Sequence, residues 1–458
     1  MLCTTCLRLT VALAVTLVAA CGGETAVKPE AAPAPVPTAA RGEGPAAPDA
    51  KKPEAAAPAP EAAAAAKDPL ESVSASAKAE FEKGLLLASS EPAKALAAFL
   101  QATKESPEFY TASYNGGILL ANEGRYPEAK RAYQDALRHK PDFGPAVVGL
   151  ATLAEAGGDV EGARALLTAH LAKVPEAVPV RAALACFVAR RGELDRAREA
   201  AIAVLRADER NAVAIMALGM VYRRQQKFEL ATMALNQALE IDTNLGEAYA
   251  ELGLVLVAQG EMPKAVAAFE RAATTRPGVP AILNNLGALR NEVGAYKGAV
   301  EVLERAIKLD PQRPDYYLNL GNALRGDQRL ADAEAAYQKA LSVGSGVPGA
   351  LFNLGVLYLD NELPGKDSVT RYKTSIDYLR SYQAKGKLAP GDAEKVDEYI
   401  ATAQKAVETE EKRLEREKRR AEERAKDDAA KAAKQAAEAG AAPEAVPAPA
   451  PTDAGGKP

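Results

Sequence analysis

The sequence predicts an all-α fold built from stacked pairs of antiparallel helices. The main observation is a set of small residues and prolines that recur every 34 residues. The second is composition: 48% of the 458 residues are apolar, whereas only 5% are aromatic and Trp is absent. An apolar fraction made mainly of Ala, Leu and Val suits closely packed helices better than sheets.

Four rows of residues define the repeat. A row is a set of positions, or slots, that lie 34 residues apart. The first row is mainly Pro, the second is Gly or Ala, the third is Ala at every slot and the fourth is mainly Ala. Thr243 and Glu209 fill the two slots that lack Pro in the first row. The rows are Pro107, Pro141, Pro175, Pro277 and Pro311; Gly117, Ala151, Ala185, Gly219, Gly253, Gly287, Gly321 and Gly355; Ala95, Ala129, Ala163, Ala197, Ala231, Ala265, Ala299 and Ala333; and Ala102, Ala136, His170, Val204, Ala238, Ala272, Ala306 and Ala340.

These rows indicate two short helices in each repeat. Small residues at fixed positions let the helices approach closely, because the contacting side chains set their separation. The Pro ends each repeat, since Pro cannot continue a helix. Glycines such as Gly124, Gly260 and Gly294 mark the turn between the two helices.

The pattern resembles the tetratricopeptide repeat, whose signature is Leu-Gly followed by Tyr, Ala, an aromatic residue, Ala and Pro. The resemblance implies a right-handed superhelical solenoid of about eight to nine repeats over residues 71–385, with an irregular last repeat. Residues 281–314 carry the signature as Leu286, Gly287, Tyr296, Ala299, Leu303, Ala306 and Pro311.

The third and fourth repeats, about residues 144–211, depart from the signature. Ala replaces the signature Gly in both, and His170 stands in a slot that holds a small residue in most other repeats. We expect these repeats to pack less tightly or to curve differently. We interpret His170 as a helix-face residue accommodated by local packing rather than as a ligand.

In this family the concave side, lined by the first helix of each repeat, is the usual peptide-binding surface. The slot two residues before the signature Gly holds Asn in several repeats, and an Asn side chain can donate and accept hydrogen bonds together. Such an asparagine ladder could hold an extended peptide by its backbone; alternatively, the Asn residues solvate or cap the helix. The predicted partner-binding residues are Asn115, Asn284, Asn285, Asn319, Asn322, Asn353, Arg223, Arg224 and Arg325.

Two features qualify this ladder. Glu251 interrupts it in the sixth repeat, which argues against one uniform groove. The three arginines could bind carboxylates of a partner, although solvated Arg side chains are an equal alternative.

The N-terminus resembles the signal peptide of bacterial lipoproteins. Arg8 precedes an apolar run that is too short to be a stable membrane anchor, and the run ends in Val18-Ala19-Ala20-Cys21. The resemblance implies a signal peptide over residues 1–20, acyl chains on Cys21 and sorting to the outer membrane, facing the periplasm. The alternative is cleavage after Ala20 that leaves Cys21 unmodified. Residues 21–70, rich in Ala and Pro, predict a disordered tether.

The C-terminal part predicts a helix over residues 386–438 and a disordered tail over residues 439–458. Val396, Ile400, Ala403 and Val407 form an apolar stripe that we expect to cap the solenoid. Beyond Glu408 the helix is almost entirely charged and lacks the regular apolar positions of a sustained coiled coil. A single solvated helix is favoured, and an arm that pairs with another chain is the alternative.

The sequence contains none of the motifs expected of common enzyme classes. Gly365-Lys366 lacks the earlier Gly of a phosphate-binding loop, and the chain has only two His residues. The net charge of -4 gives no support for bulk binding of nucleic acid. We therefore expect no enzymatic activity, no cofactor or metal, and no small-molecule substrate.

The sequence as a whole predicts a lipid-anchored scaffold that binds other envelope proteins or extended peptide segments. Its layout is similar to that of the repeat lipoprotein of myxobacterial adventurous gliding motility. The alternatives are a factor similar to the pilotins, which assist secretin assembly in type IV pili, and a soluble adaptor without a lipid anchor.

Overall fold

The computed structural model describes residues 69–344, 347–385, 388 and 390–440. The predicted signal peptide, Cys21, most of the predicted tether and the tail beyond residue 440 lie outside the described residues. Within the described part, the chain forms one short 3-10 turn, Pro69–Ser72, and 19 α-helices, without a strand. The predicted all-α class is confirmed.

The helices follow the 34-residue spacing closely. From Tyr110 to Pro348, the first helix of every repeat begins 34 residues after the one before it. The helices are α1 Ala75–Leu87, α2 Pro92–Glu105, α3 Tyr110–Asn122, α4 Tyr126–His139, α5 Gly144–Ala156, α6 Val160–Lys173, α7 Val178–Arg190, α8 Leu194–Ala207, α9 Ala212–Arg224, α10 Phe228–Ile241, α11 Gly246–Ala258, α12 Met262–Thr275, α13 Pro280–Glu292, α14 Tyr296–Leu309, α15 Pro314–Gly326, α16 Leu330–Val343, α17 Pro348–Asp360, α18 Ser368–Lys385 and α19 Pro390–Gly440.

The chain divides into two compact units between Pro311 and Gln312. We refer to them as the first unit, with helices α1–α14, and the second unit, with helices α15–α19. In each unit, consecutive helices pack as antiparallel pairs, and the buried residues are mainly Ala, Leu, Val and a few aromatic side chains.

The signature Gly of a repeat lies against a large side chain on the second helix. A Cβ atom at Gly117 would stand 2.6 Å from the ring of Tyr133, and one at Gly253 would stand 2.5 Å from the ring of Phe269. These distances leave no room for a methyl group. In the fourth repeat, Ala185 replaces the Gly, and the partner slot 16 residues later holds the small Ala201.

Left-handed residues make the turns between the helices of a pair. Glycines occupy this position in five repeats, with φ between 76° and 85° at Gly124, Gly158, Gly192, Gly260 and Gly294. Gln226 and Gln328 hold the same slot with φ of 59° and 64°. Side chains are disfavoured in this conformation, so both Gln residues carry local backbone strain.

The irregular last repeat is closed by a buried arginine. Nη1 of Arg371 donates hydrogen bonds to the backbone oxygens of Tyr358, Leu359 and Asn361, at 2.7, 3.0 and 2.9 Å. These oxygens lie at the C-terminus of α17, where helical carbonyls lack partners within the helix. The loop from Asn361 to Asp367 therefore ends the regular repeat without leaving this helix end uncapped.

Helix α19 begins as a cap on the second unit and continues as an exposed helix. Val396, Ile400 and Ala403 are buried against Ile376 and Leu379 of α18. Beyond Glu410 every described side chain of α19 is exposed. Lys412 pairs with Glu408 at 2.5 Å and Arg419 with Glu415 at 2.8 Å, as their i,i+4 spacing predicts. In the described part of the chain, no helix has the length and apolar character needed to cross a bilayer.

Candidate protein-binding face

The candidate face consists of polar side chains on the first helix of each repeat, and we describe it separately in each unit. In the second unit, Asn319, Asn322 and Arg325 lie on α15 and Asn353 lies on α17. Asn319, Asn322 and Arg325 are half-buried, whereas Asn353 is buried. Asn322 and Asn353 are joined directly by a hydrogen bond of 2.7 Å. The structure therefore brings two of these predicted residues into contact across neighbouring repeats.

The asparagines of the first unit are more enclosed. Asn284 and Asn285 on α13 are 1% and 2% exposed, so their side chains offer almost no surface to a partner. Asn115 on α3 is half-buried, and its Nδ2 donates a hydrogen bond of 2.8 Å to the backbone oxygen of Thr111 in the same helix. Of these three residues, Asn115 is the one that a partner could reach.

The two arginines predicted on this face of the first unit are bound within the chain. Nε of Arg223 donates to Oε2 of Glu251 at 2.7 Å, and both side chains are mostly buried. Arg224 donates to the backbone oxygen of Arg190 at 3.0 Å. Arg223 thus binds a carboxylate of its own chain, that of Glu251, the residue that interrupts the asparagine ladder.

A larger charge network includes Arg190, the residue to which Arg224 donates. Arg190 binds the carboxylate of Glu155 with two nitrogens, at 3.2 and 2.6 Å, and Arg191 adds a third bond at 2.9 Å. Glu247 then lies 4.0 Å from Arg190 and accepts a hydrogen bond of 2.9 Å from Arg276. We call Glu155, Arg190, Glu247 and Arg276 the inner charge chain. It links the third, fourth and sixth repeats and the loop that follows α12.

Neighbouring positive charges keep Glu247 ionised within the inner charge chain. Burial disfavours its charged form, but Arg276 and Arg190 outweigh that effect and hold the pKa of Glu247 below its ordinary value. Glu247 is half-buried, and a carboxylate placed between two guanidinium groups is costly to leave unpaired. A partner that breaks these ion pairs must therefore supply new ones.

The inner charge chain was not predicted from the sequence, although the sequence carries a signal for it. Opposite charges stand near the ends of the first helices in successive repeats, as with Glu155 and Arg190, which are 35 residues apart. Once the 34-residue spacing is known, such residues are expected to be neighbours on adjacent helices. The longer step from Arg190 to Glu247, across the fifth repeat, depends on the curvature of the stack.

The turn at Gly365-Lys366 is occupied by protein groups. Lys366 donates from Nζ to Oε1 of Glu334 at 2.7 Å, and the hydroxyl of Tyr358 donates to the same oxygen at 2.6 Å. Burial works against the charged form of Lys366, yet its hydrogen bonds to Glu334 and Tyr358 raise its pKa. In the part of the chain that the structure describes, no cluster of His, Cys, Asp and Glu could hold a metal ion.

Comparison with family models identifies the repeats. The model described as "Tetratricopeptide repeat" matches residues 85–142, 114–178 and 318–393, and the one described as "TPR repeat" matches residues 289–328. A third, the "Cilia and flagella-associated protein 70 middle TPR-like domain", matches residues 148–275. The chain belongs to the tetratricopeptide-repeat family. No curated protein sequence matches this repeat protein.

Solved structures with the same fold include the APC/C hetero-tetramer Cut9-Hcn1. The match has 16% identity and a TM-score of 0.50, and it covers 72% of the repeat protein and 75% of the other chain. MamA matches with 27% identity and a TM-score of 0.31 over 34% of this chain and 90% of its own. MamA 41-end from Desulfovibrio magneticus RS-1 matches with 24% identity and a TM-score of 0.35, over 38% of this chain and 94% of its own. The likeness to Cut9-Hcn1 shows the fold alone.

Proposed function

We propose that this repeat protein is a non-enzymatic scaffold of the bacterial envelope, where it binds extended segments of partner proteins along the first helices of its repeats. Tetratricopeptide repeats act as protein-interaction scaffolds. We further propose that acyl chains on Cys21 anchor it to the outer membrane, facing the periplasm, as part of a multi-protein machine such as that of gliding motility.

The observation that carries the binding proposal is the polar surface of α15. Asn319, Asn322 and Arg325 lie three residues apart on this helix and are half-buried. Residues three apart share one face of a helix, so the three side chains form one row. Amide and guanidinium groups in such a row can bind backbone carbonyls and carboxylates of an extended segment.

A crosslinking pull-down from cell envelopes tests this proposal. The double variant Asn319→Ala/Arg325→Ala removes two members of the row and should lose the partner that wild type captures. The matched control is Glu304→Ala/Lys308→Ala, two exposed residues on the second helix of the preceding repeat. An unchanged set of captured proteins in the α15 variant, with both variants folded by circular dichroism, would reject binding at this face.

Support for the anchor comes from the sequence at the end of the signal-peptide segment. Val18-Ala19-Ala20 places small residues before Cys21, where a peptidase needs access to the backbone and the thiol accepts the lipid. More than one acyl chain on one residue gives firm membrane attachment. Metabolic labelling with a palmitate analogue should mark wild type but not Cys21→Ala. Unlabelled wild-type protein would reject the anchor.

A further inference from the structure

Two turns that are far apart in the sequence meet within the first unit. The hydroxyl of Tyr126, at the start of α4, donates a hydrogen bond of 2.5 Å to the backbone oxygen of Gly278. Gly278 lies in the loop between α12 and α13, 152 residues further along the chain. The second repeat therefore touches the junction of the sixth and seventh repeats.

The contact is a close backbone approach as well as a hydrogen bond. A Cβ atom at Gly278 would stand 2.3 Å from the backbone oxygen of Asn122 and 2.5 Å from that of Ala121, both at the end of α3. Beside it, a Cβ atom at Gly124 would stand 2.5 Å from Cδ2 of Leu309, at the end of α14. Two glycines thus permit the two turns to touch.

Gly is uncommon at the slot that Gly278 occupies in the repeat. The slot at 34-residue intervals holds Glu108, Asp142, Glu176, Arg210, Asn244, Gly278, Gln312 and Gly346. From Glu108 to Gln312, every other member has a long or polar side chain. The side chain is missing at the slot that faces α3, where a Cβ atom would collide with backbone.

The inner charge chain lies next to this contact. Arg276 is two residues before Gly278 and binds Glu247, which approaches Arg190 on α7. Burial raises the pKa of the Tyr126 hydroxyl, with Arg276 opposing and Asp310 adding to the shift. The hydroxyl therefore stays protonated at neutral pH and acts as the donor to Gly278.

We propose that the contact of Tyr126 and Gly278 is a clasp that closes the first unit on itself, and that it opens and closes while the helix pairs stay folded. One neutral hydrogen bond and a few backbone contacts give little net stability, so the clasp can open without unfolding the helix pairs.

Hydrogen exchange measured by mass spectrometry on the full chain tests the clasp without any partner. Gly278→Ala places a methyl group against the backbone of α3, so the two turns must separate. Exchange should rise at least about threefold in both segments, 119–126 and 276–282, while α7–α10 keep their wild-type exchange. A milder variant, Tyr126→Phe, removes only the donor and should raise exchange in the same two segments by less.

Asn244→Ala is the matched control, because it changes the same slot in the preceding repeat, where the side chain is exposed. It should leave segment 119–126 unchanged. If Gly278→Ala raises exchange only in 276–282, or in neither segment, the clasp is rejected.

Discussion

Asn353 donates a hydrogen bond of 2.7 Å from Nδ2 to Oδ1 of Asn322, and the hydroxyl of Tyr337 donates to the same oxygen at 2.9 Å. The predicted ladder is therefore partly occupied by its own members. Asn322→Ala leaves both donors without this acceptor, and an orphaned buried donor costs about 1–3 kcal/mol. We expect the urea midpoint of unfolding, followed by circular dichroism, to fall accordingly.

Asn115→Ala is the matched control for that change. Its Nδ2 bonds to Thr111 within one helix, so no other repeat loses a partner. We expect a change within about 0.5 kcal/mol. If the two variants lost the same stability, the hydrogen bonds to Asn322 would not hold neighbouring repeats together.

The periodic part of this fold could be predicted from the sequence because every repeat packs its two helices together through the same positions. The slots of Gly117 and Tyr133 hold a Gly and a large side chain in later repeats as well. Their spacing alone therefore predicts two helices in contact. The pairing of Arg223 with Glu251 could not be predicted in the same way. It depends on how far each repeat rotates relative to the next, which the spacing does not contain.

Relief of backbone strain at Gln328 should stabilise the fold. Gln328 has φ of 64° at a slot where five other repeats have Gly. A left-handed conformation costs a residue with a side chain about 1–2 kcal/mol, and Gly avoids this cost. Gln328→Gly should therefore raise the free energy of unfolding by about 1 kcal/mol, with Gln226→Gly behaving alike.

Gly260→Ala is the reciprocal change. Gly260 has φ of 79°, and nothing lies within 4 Å of where its Cβ would be, so the substitution adds backbone strain without a steric clash. It should destabilise by about 1–2 kcal/mol in the same denaturation assay. A stabilising Gly260→Ala, or a destabilising Gln328→Gly, would contradict the role assigned to this slot.

Gly321 and Tyr337 form a pair whose sizes are matched. A Cβ atom at Gly321 would stand 2.4 Å from the Tyr337 ring, so Gly321→Ala should cost about 1–3 kcal/mol through overpacking. In the fourth repeat, the Gly slot holds Ala185 and the slot 16 residues later holds the small Ala201. In a double-mutant cycle, adding Tyr337→Ala should cost less in the Gly321→Ala background than in wild type. Strict additivity would show that the two side chains do not compete for space.

The depressed pKa of Glu247 predicts a dependence of stability on pH. Because the folded pKa lies below the ordinary value of 4.5, ionised Glu247 stabilises the fold above that pH, and the contribution is lost as pH falls through the folded pKa. Glu247→Gln should lower the urea midpoint at neutral pH and flatten its fall between about pH 5 and pH 3. Glu292→Gln, at an exposed position, should keep the wild-type profile. If the urea midpoints of wild type and Glu247→Gln fell in parallel as the pH was lowered, Glu247 would not contribute to the loss of stability in acid.

Cys186 should be almost inert while the first unit is folded. Burial raises the pKa of its thiol to about 12, with Arg190 opposing and three nearby glutamates adding to the shift. The thiolate is the reactive form, and at pH 8 only about one thiol in ten thousand would carry the charge. Iodoacetamide should therefore label the peptide that contains Cys186 at least about a hundredfold more slowly in the native protein than in urea. Ser89→Cys, on an exposed turn, supplies a reference thiol in the same chain, and mass spectrometry resolves the two peptides. Equal labelling of Cys186 and the reference thiol in native protein would mean that α7 and α9 separate readily at this point.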